Sequence, residues 1–431
     1  MYRRTFIKTA TRQLAGLVGL STLASAQKSD TQSPAPKADA ADELRGEVFW
    51  ASVRRQFPLT QDRVYLNTGG LGASPHVSIE ALKAKIDELE YVSETGHQTA
   101  LWRSIKEKAG LFLGCRAEEI AYTRNTTEGV NIVCNGLPLR DGDEVITSTH
   151  EHVGNTIAWL ARQRRDGIVM KVFEPSTRSA QENLERIEAL ITPRTRALSI
   201  SHVTTSTGQI LPVEEIGKLA SRRGLWYFVD GAQAPGMLPI DVGAIGCHAY
   251  ATSGHKWLLG PKGTGLLYVR QDALDVIDAQ WVGAYSNAEH FDMRTGEFHF
   301  APTAQRYEYG TVSTPLFVGL GAALDFLLDI GIDRIWHRDH ALAAALIKGL
   351  NALGAEVLSP QHPDEHSAMI TFRLPNVSRT ELQPFLAKNY NLRTRGIYEG
   401  GLDGLRISLH LYNSFADVEK VLEGAEAALK I

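Results

Sequence analysis

The sequence has few cysteines, and they lie far apart. Cys115, Cys134 and Cys247 are the three found among 431 residues. Their number and spacing exclude a disulfide framework and do not fit a zinc site. We therefore expect these thiols to be buried among apolar side chains.

Long apolar runs and an excess of basic charge are also missing. No stretch reaches the roughly 18 apolar residues needed to cross a bilayer, so we expect a soluble or only transiently membrane-associated protein. Lys and Arg number 45 against 49 Asp and Glu, which leaves no electrostatic footprint for DNA or RNA. The 43% hydrophobic and 22% charged residues are typical of a folded chain, long enough for one large and one smaller core.

The first residues have the order of features found in an export signal. Arg3 and Arg4 precede an apolar stretch, residues 14–23, and a small-residue cleavage site, residues 24–26. The arginine pair resembles the twin-arginine signal, which directs folded, often cofactor-loaded proteins to the export machinery. We expect residues 1–26 to be removed on export and the mature protein to be periplasmic. The alternative is an ordinary amphipathic N-terminal helix.

The rest of the chain predicts an α/β fold. Short β-rich runs alternate with helical stretches between about residues 70 and 270, which favours a mostly parallel sheet covered by helices. The runs "RALSISHV" and "LWYFVD" are almost continuously apolar, as in central strands buried on both faces. Ligands of such sheets bind at the carboxyl ends of the strands.

Changes in pattern predict the domain boundaries. Residues 27–42 are rich in Ser, Pro, Ala and Asp, so we expect a flexible linker with folding from about Glu43. A segment over 43–69 is expected to pack with a smaller C-terminal domain. The large domain covers 70–315, and the smaller α+β domain, with long amphipathic helices, covers 316–431.

A lysine in a glycine-rich turn is the first candidate for chemistry. Lys256 lies between two β-rich runs in "HAYATSGHKWLLGPKGTGLLYVR". A lysine desolvated in such a turn becomes nucleophilic, which Schiff-base chemistry requires. The alternative is a surface charge beside an ordinary turn.

An acidic residue at a strand end gives that lysine a chemical partner. Asp230 ends "LWYFVD", and Gln233 follows in "DGAQAPG". A carboxylate that pairs with a pyridinium nitrogen and a lysine that forms an imine are the two groups pyridoxal phosphate most needs. Alone, Asp230 would more often be a helix cap or turn residue.

These segments resemble the class V aminotransferase family of fold-type I pyridoxal-phosphate enzymes, which includes cysteine desulfurases, selenocysteine lyases and isopenicillin-N epimerases. The similarity runs from about Tyr65 to Asp417. It implies a fold-type I transferase whose large domain binds pyridoxal 5'-phosphate. It also implies that Lys256 carries the covalent cofactor link, that Asp230 keeps the ring nitrogen protonated and that Gln233 lies near the phenolic oxygen.

The phosphate site is predicted from a second segment. "TRNTTEGVN" leaves a β-rich run and opens a helix, so Thr126, Thr127 and nearby N–H groups would face an anion. Simple helix capping is the alternative. The family pattern implies that Ser253 and His255 also contact the phosphate, and that Thr311 reaches it from the neighbouring subunit of a homodimer.

A histidine segment predicts the residue that stacks on the cofactor. "STHEHVGNTIAW" lacks the four-residue separation of the helical two-histidine zinc motif, so no metal is expected. The resemblance implies instead that His152 stacks on the ring. Asn155, predicted to contact substrate, and Trp159 fit the same pattern.

The substrate carboxylate has its own candidate residue. "LRISLHLYNSFADVE" matches the family segment whose arginine binds the α-carboxylate, here Arg406. Guanidinium binds carboxylate through two hydrogen bonds, which lysine cannot reproduce. Without this match, a surface salt bridge would be the better interpretation. Asn67 and Gly69 in "YLNTGGLGASP" are predicted to line the substrate pocket.

The reaction begins in the same way for several possible outcomes. Substrate amine displaces Lys256, which then removes the Cα proton, and transamination, epimerisation, elimination or side-chain cleavage can follow. Desulfuration through a persulfide is disfavoured, because "NYNLRTRGIYEGGLDG" lacks the mobile cysteine of the desulfurases. Thr205 also replaces a desulfurase asparagine, and "HKWLLGP" is more similar to the isopenicillin-N-epimerase branch.

We therefore expect an enzyme acting at the α-amino group or Cα of an amino acid or amino-acid-containing metabolite. One alternative is periplasmic tailoring of a residue in a secreted peptide such as a siderophore. Others are a C–S lyase, a protein that binds pyridoxal phosphate without catalysis, and a purely structural periplasmic protein.

Overall fold

The computed structural model describes residues 40–430, with side chains from Gly46 onward. The export signal predicted over 1–26 and the linker up to residue 39 lie outside the described residues. Helix α1 (Ala40–Arg54) begins inside the predicted linker. Regular structure therefore begins slightly before Glu43, the residue from which folding was predicted.

A seven-stranded sheet forms the centre of the large domain. Its order is β2-β8-β7-β6-β5-β3-β4, and all neighbours are parallel except β8, which is antiparallel to both β2 and β7. The prediction of a mostly parallel sheet is confirmed. The strands are β2 (Ile120–Thr123), β3 (Glu144–Ser148), β4 (Val169–Phe173), β5 (Thr195–Ser201), β6 (Trp226–Asp230), β7 (Ala249–Ser253) and β8 (Gly265–Val269).

Side chains alternate between two apolar cores on the two faces of this sheet. Leu198 joins one cluster and its neighbour Ala197 the other, and Val229 and Phe228 divide in the same way. This alternation explains why the central strands are apolar throughout, since each face is covered by helices. The helices of this part of the chain are α2 (His76–Val92), α3 (Thr99–Leu113), α4 (Thr126–Gly136), α5 (Val153–Asp166), α6 (Ala180–Ala189), α7 (Val213–Arg223) and α8 (Val242–Ile245).

A second, antiparallel sheet has a core of its own. Its order is β11-β12-β15-β14, and Ile370 and Leu405 from its strands pack against Leu346 and Val421 from two helices. The strands are β11 (Glu356–Val357), β12 (Met369–Arg373), β14 (Arg395–Ile397) and β15 (Gly404–Ser408), and the helices of the C-terminal part are α9 (Thr314–Ile330), α10 (Ile332–Ala352), α11 (Arg379–Tyr390) and α12 (Phe415–Ala428).

Helix α9 belongs to a different core from the one predicted. Phe317 and Leu320 of this helix are part of the large core, together with Trp102 of α3. The sequence pattern predicted that this helix belongs to the smaller domain, residues 316–431. Its amphipathic pattern shows that one face is buried, but not which core buries it.

The N-terminal segment joins the second sheet to the centre of the molecule. Strand β1 (Val64–Tyr65) pairs in parallel with β13 (Leu392–Arg393). Asn67 then forms a bridge with Ser408 at the end of β15. This pairing fixes the backbone of Asn67 beside the strand that carries Arg406.

The remaining strands form a hairpin, β9 (Asn287–Asp292) and β10 (Glu297–Phe300).

Within the described part of the chain, no one helix has both the length and the apolar character to span a membrane. Helices α9 and α10 meet that condition only when taken together, and they are bent by 79°.

Replacement of Gly72 by alanine tests how closely the N-terminal segment approaches the lysine turn. A Cβ at Gly72 would overlap the backbone carbonyl oxygen of Lys256. We expect Gly72→Ala to lower the free energy of unfolding by about 1 to 3 kcal/mol, as overpacking does. Gly46 in α1 has open space around its Cβ position, so Gly46→Ala is the control and should gain about 0.5 to 1 kcal/mol. Equal stabilities in denaturant melts would contradict this close approach.

Candidate functional site

Lys256 lies in a tight turn between β7 and β8, as predicted. The Gly72 N–H donates to the His255 carbonyl at 2.8 Å and the Leu259 N–H to the Lys256 carbonyl at 3.2 Å. The side chain is buried, with 8% of the residue exposed, and within residues 46–430 no carboxylate forms an ion pair with it. Burial lowers the pKa of Lys256 to about 8, while the Asp230 charge opposes this shift and the Arg406 charge adds to it.

Asp230 ends β6 and is buried, close enough for its charge to act on this amine. One carboxylate oxygen, Oδ1, accepts from the Ala232 N–H at 2.9 Å. Burial raises the pKa of Asp230, and the Ala232 N–H and the Lys256 charge oppose the shift. A buried carboxylate of this kind gains most from a cationic partner, which is what a protonated ring nitrogen would provide.

Glu151 is a second buried carboxyl group whose pKa responds to the charge of Asp230; its sequence segment was considered only for a metal site, which its spacing disfavours. Oε1 accepts from the Ser148 hydroxyl at 2.8 Å, and the Ser201 hydroxyl donates to Oε2 at 2.5 Å. Burial raises the pKa of Glu151 to about 7, and the Asp230 charge contributes to the rise. The four-residue separation between Glu151 and Asn155 is the sequence signal that could have indicated their contact.

Asn155 has a position different from the predicted one. Its amide N–H donates to Glu151 Oε2 at 2.9 Å, and its carbonyl accepts from Trp159 Nε1 at 3.1 Å. Ser199 Oγ also donates to this carbonyl, at 3.2 Å. The amide is thus used inside the protein, so Asn155 is a residue that orients Glu151 and Trp159 rather than a substrate contact.

His152 caps the N-terminus of α5. Its Nδ1 accepts from the Gly154 N–H at 3.0 Å, which leaves the hydrogen of the neutral ring on Nε2. Burial lowers the pKa of His152 to about 4, and the charges of Lys256 and Arg395 contribute. The ring is therefore neutral near pH 7 and suited to stacking on an aromatic cofactor.

Two of the predicted phosphate residues, Thr126 and Ser253, meet at the N-terminus of α4. The backbone N–H of Thr126 donates to Ser253 Oγ at 3.2 Å, and the two hydroxyl groups lie 2.7 Å apart. Thr127 is exposed at the same helix end, while buried Nδ1 of His255 has no hydrogen-bond partner among the described residues. Unpaired N–H groups of a first helical turn favour an anion such as phosphate. Thr311 is exposed in the loop before α9.

Gln233 connects the lysine turn to the N-terminal segment. Its amide donates to the Gly69 carbonyl at 2.9 Å and accepts from Trp257 Nε1 at 2.9 Å. Thr205 Oγ1 is a second acceptor, at 3.4 Å. This geometry holds Gln233 beside the residue that follows Lys256.

Arg406 on β15 is a fully buried guanidinium without a carboxylate partner among the described residues. It donates to the Thr205 carbonyl at 2.7 Å and to Asn67 Oδ1 at 3.3 Å, while its Nε is unpaired. Burial lowers the pKa of Arg406 to about 9, with a contribution from the charge of Arg395. A desolvated cation held only by neutral acceptors is a strong candidate to bind a carboxylate.

Arg395 and Glu399 also lie at this site and were not predicted from the sequence. Arg395 is the direct cross-strand partner of Arg406 in the β14–β15 pair. It donates to Thr205 Oγ1 at 3.4 Å and forms an ion pair with Glu399. The run "NLRTRGIYEGGLDG" was used only for its lack of cysteine, and the strand register that places Arg395 there is not visible in the sequence.

No cluster of three or more His, Cys, Asp or Glu that could hold a metal occurs within the described residues.

A lysine turn, a strand-end carboxylate, an anion site at a helix N-terminus and an α/β fold together define a pyridoxal-phosphate-dependent enzyme of fold type I. The cofactor fits residues already present: Thr126 and Ser253 at the anion site, His152 for the ring and Lys256 for the covalent link.

Comparisons with known proteins agree. The Aminotransferase class-V family model matches residues 90–421, so the chain belongs to that family, whose members are pyridoxal-phosphate enzymes acting on amino acids. It is 32% identical to an isopenicillin N epimerase of Amycolatopsis lactamdurans over 88% of this chain and 99% of the epimerase. The predicted family, fold and cofactor are confirmed.

Solved structures show the same likeness. A cysteine desulfurase from Escherichia coli superimposes with a TM-score of 0.78 at 27% identity, over 88% of this chain and 98% of the desulfurase. A cystine C–S lyase with its product cysteine persulfide also gives 0.78 at 27% identity, over 86% of this chain and 99% of the lyase.

The charges around Lys256 predict a specific pH dependence. An amine is nucleophilic only when neutral, so acetylation of Lys256 in cofactor-free protein should rise with pH through about 8. In Arg406→Gln the midpoint should move to higher pH, because a positive charge that lowers the pKa is removed. Competitive acetylation followed by peptide mass spectrometry measures both midpoints. The exposed Arg373→Gln is the control, and the same midpoint in all three proteins would contradict the described electrostatics.

Proposed function

We propose that this enzyme reacts at the α-amino group and Cα of an amino acid or an amino-acid-containing metabolite, with Lys256 as the residue that carries the cofactor. One observation supports this most. A buried amine with no carboxylate ion pair within residues 46–430 interacts electrostatically with a buried carboxylate, Asp230, and a buried guanidinium, Arg406. Such a combination is costly to bury and typical of a catalytic site.

Each predicted cofactor residue has a role in this proposal. Bound pyridoxal phosphate supplies an electron sink for charge that develops at Cα. Thr126 and Ser253 donate to the phosphate, with Thr127 and His255 beside them. Asp230 stabilises a protonated ring nitrogen, His152 packs on the ring face, and Gln233 lies by the phenolic oxygen.

Substrate binding and proton transfer use the remaining groups. Arg406 binds the α-carboxylate and Asn67 orients the guanidinium, since Asn67 Oδ1 already accepts from it. Lys256, with a pKa lowered to about 8, removes the Cα proton as a general base near neutral pH. Arg406 therefore holds the substrate by its carboxylate while Lys256 acts at Cα.

The cysteines favour a reaction without a protein persulfide. Cys134 and Cys247 are buried and Cys115 is partly buried, and burial raises the pKa of Cys134 and of Cys115 to about 12. A protonated, buried thiol is a poor nucleophile. Epimerisation or transamination is therefore our first candidate. Direct C–S bond cleavage is the second, because of the structural likeness to the cystine C–S lyase.

We also propose a homodimer that is exported through the twin-arginine machinery to the periplasm. Thr311, which the family pattern assigns to the phosphate of a neighbouring subunit, is exposed. Trp281 and Met293, earlier in the chain, expose 70% and 85% of their surface, and exposed large apolar side chains favour an interface. The export proposal depends on Arg3 and Arg4. In that compartment, a residue of a secreted peptide such as a siderophore is one candidate substrate.

Replacement of the lysine tests this function. We expect Lys256→Ala to lose the borohydride-reducible bond to the cofactor and all turnover of amino acids, because no other amine is placed at the site in this proposal. Mass spectrometry of the reduced protein identifies the modified residue. Lys262→Ala, in the same turn region but exposed, is the control and should keep both.

Two results would contradict the proposal. A reducible cofactor bond that persists in Lys256→Ala would remove the role of this residue. Wild-type protein whose cofactor absorbance stays unchanged across a panel of amino acids would instead be a binding protein without catalysis.

A further inference from the structure

Two arginines face each other beside the lysine at a high electrostatic cost. Arg395 and Arg406 are directly opposed on the antiparallel strands β14 and β15, where like charges destabilise the pair. Their Nη1 atoms both donate to the same hydroxyl group, Thr205 Oγ1, at 3.4 and 3.2 Å. Both guanidinium groups are therefore directed toward one point.

The charges at this point do not balance within the described residues. The positive charges of Arg395 and Arg406 both act on Lys256 and lower its pKa. The Asp230 charge acts on Lys256 in the opposite direction, and Glu399 forms an ion pair with Arg395. Arg406 itself has no ion-pair partner among the described residues, so the site has room for added negative charge.

Glu399 already shows that Arg395 binds a carboxylate there. Its side chain is 9% exposed and pairs with Arg395 four residues earlier. The residue lies in a short turn, Glu399–Gly401, that follows β14 and has Tyr398, 68% exposed, before it. A carboxylate at this position neutralises one guanidinium and leaves the other free.

We propose that Arg395 and Arg406 bind two carboxylates of one substrate, so that the enzyme takes an amino acid with a second carboxylate on its side chain. Glu399 occupies the second position until the substrate replaces it. The inference rests on the proposed function, in which Arg406 binds the α-carboxylate. It makes Arg395 the residue that selects the side chain.

Unreactive acids test this binding mode separately from catalysis. Succinate and glutarate carry two carboxylates and butyrate carries one, and none has an amine. Calorimetric titration of the cofactor-loaded protein should show a dicarboxylate affinity at least about tenfold above that of butyrate, as expected for one more charge-assisted interaction. Equal affinities for glutarate, succinate and butyrate would overturn the proposal.

Two variants should change dicarboxylate affinity in opposite directions. Arg395→Gln should reduce glutarate affinity about tenfold or more and leave butyrate affinity unchanged. Glu399→Gln removes the internal competitor and should increase glutarate affinity. Arg373→Gln is the matched control, because Arg373 is an exposed arginine of the same sheet that also pairs with a glutamate, Glu356. Glutarate binding that is unchanged in both site variants would overturn the inference.

Amino acids complete the test. The change in absorbance of the bound cofactor should occur at lower concentrations of L-glutamate or L-aspartate than of L-glutamine or L-asparagine, and Arg395→Gln should remove this preference. Equal response to acids and amides would overturn the inference while leaving the proposed function intact. If amino acids cause no change at all, the proposed function fails, whatever the dicarboxylates do.

Discussion

The structure depends on keeping one amine and one carboxylate together out of water. Burial disfavours the charged forms of both Lys256 and Asp230, and their mutual attraction offsets part of that cost. In the family, the protonated ring of the bound cofactor gives the buried carboxylate a cationic partner and so offsets the cost of burying it. Stability and function are therefore opposed at this position, as in other pre-organised catalytic sites.

Contacts from three parts of the chain keep the lysine turn in place. Gln233 accepts from Trp257 Nε1, and the Trp257 carbonyl lies 3.3 Å from His410 Nε2. His410 pairs in turn with Asp339 at 2.6 Å, and both are fully shielded from solvent. Since His410 follows β15 and Asp339 lies on α10, the C-terminal part of the chain positions a residue of the lysine turn.

Local sequence patterns predict the residues at the centre of the site but not those around it. Asp230 stands out because it ends a strand whose apolar run is visible in the sequence, and Lys256 because it lies in a glycine-rich turn between two β-rich runs. Arg395 depends on strand register and Glu151 on burial, and both arise from contacts between distant segments. Helix α9 shows the same limit, because periodicity identifies a buried face without its partner.

A crystal structure of the protein loaded with pyridoxal phosphate is the most direct test of the central claim. The account predicts continuous electron density from Lys256 Nζ to the cofactor and the ring nitrogen within hydrogen-bond distance of an Asp230 oxygen. A cofactor attached to another lysine, or a ring nitrogen directed away from Asp230, would contradict it.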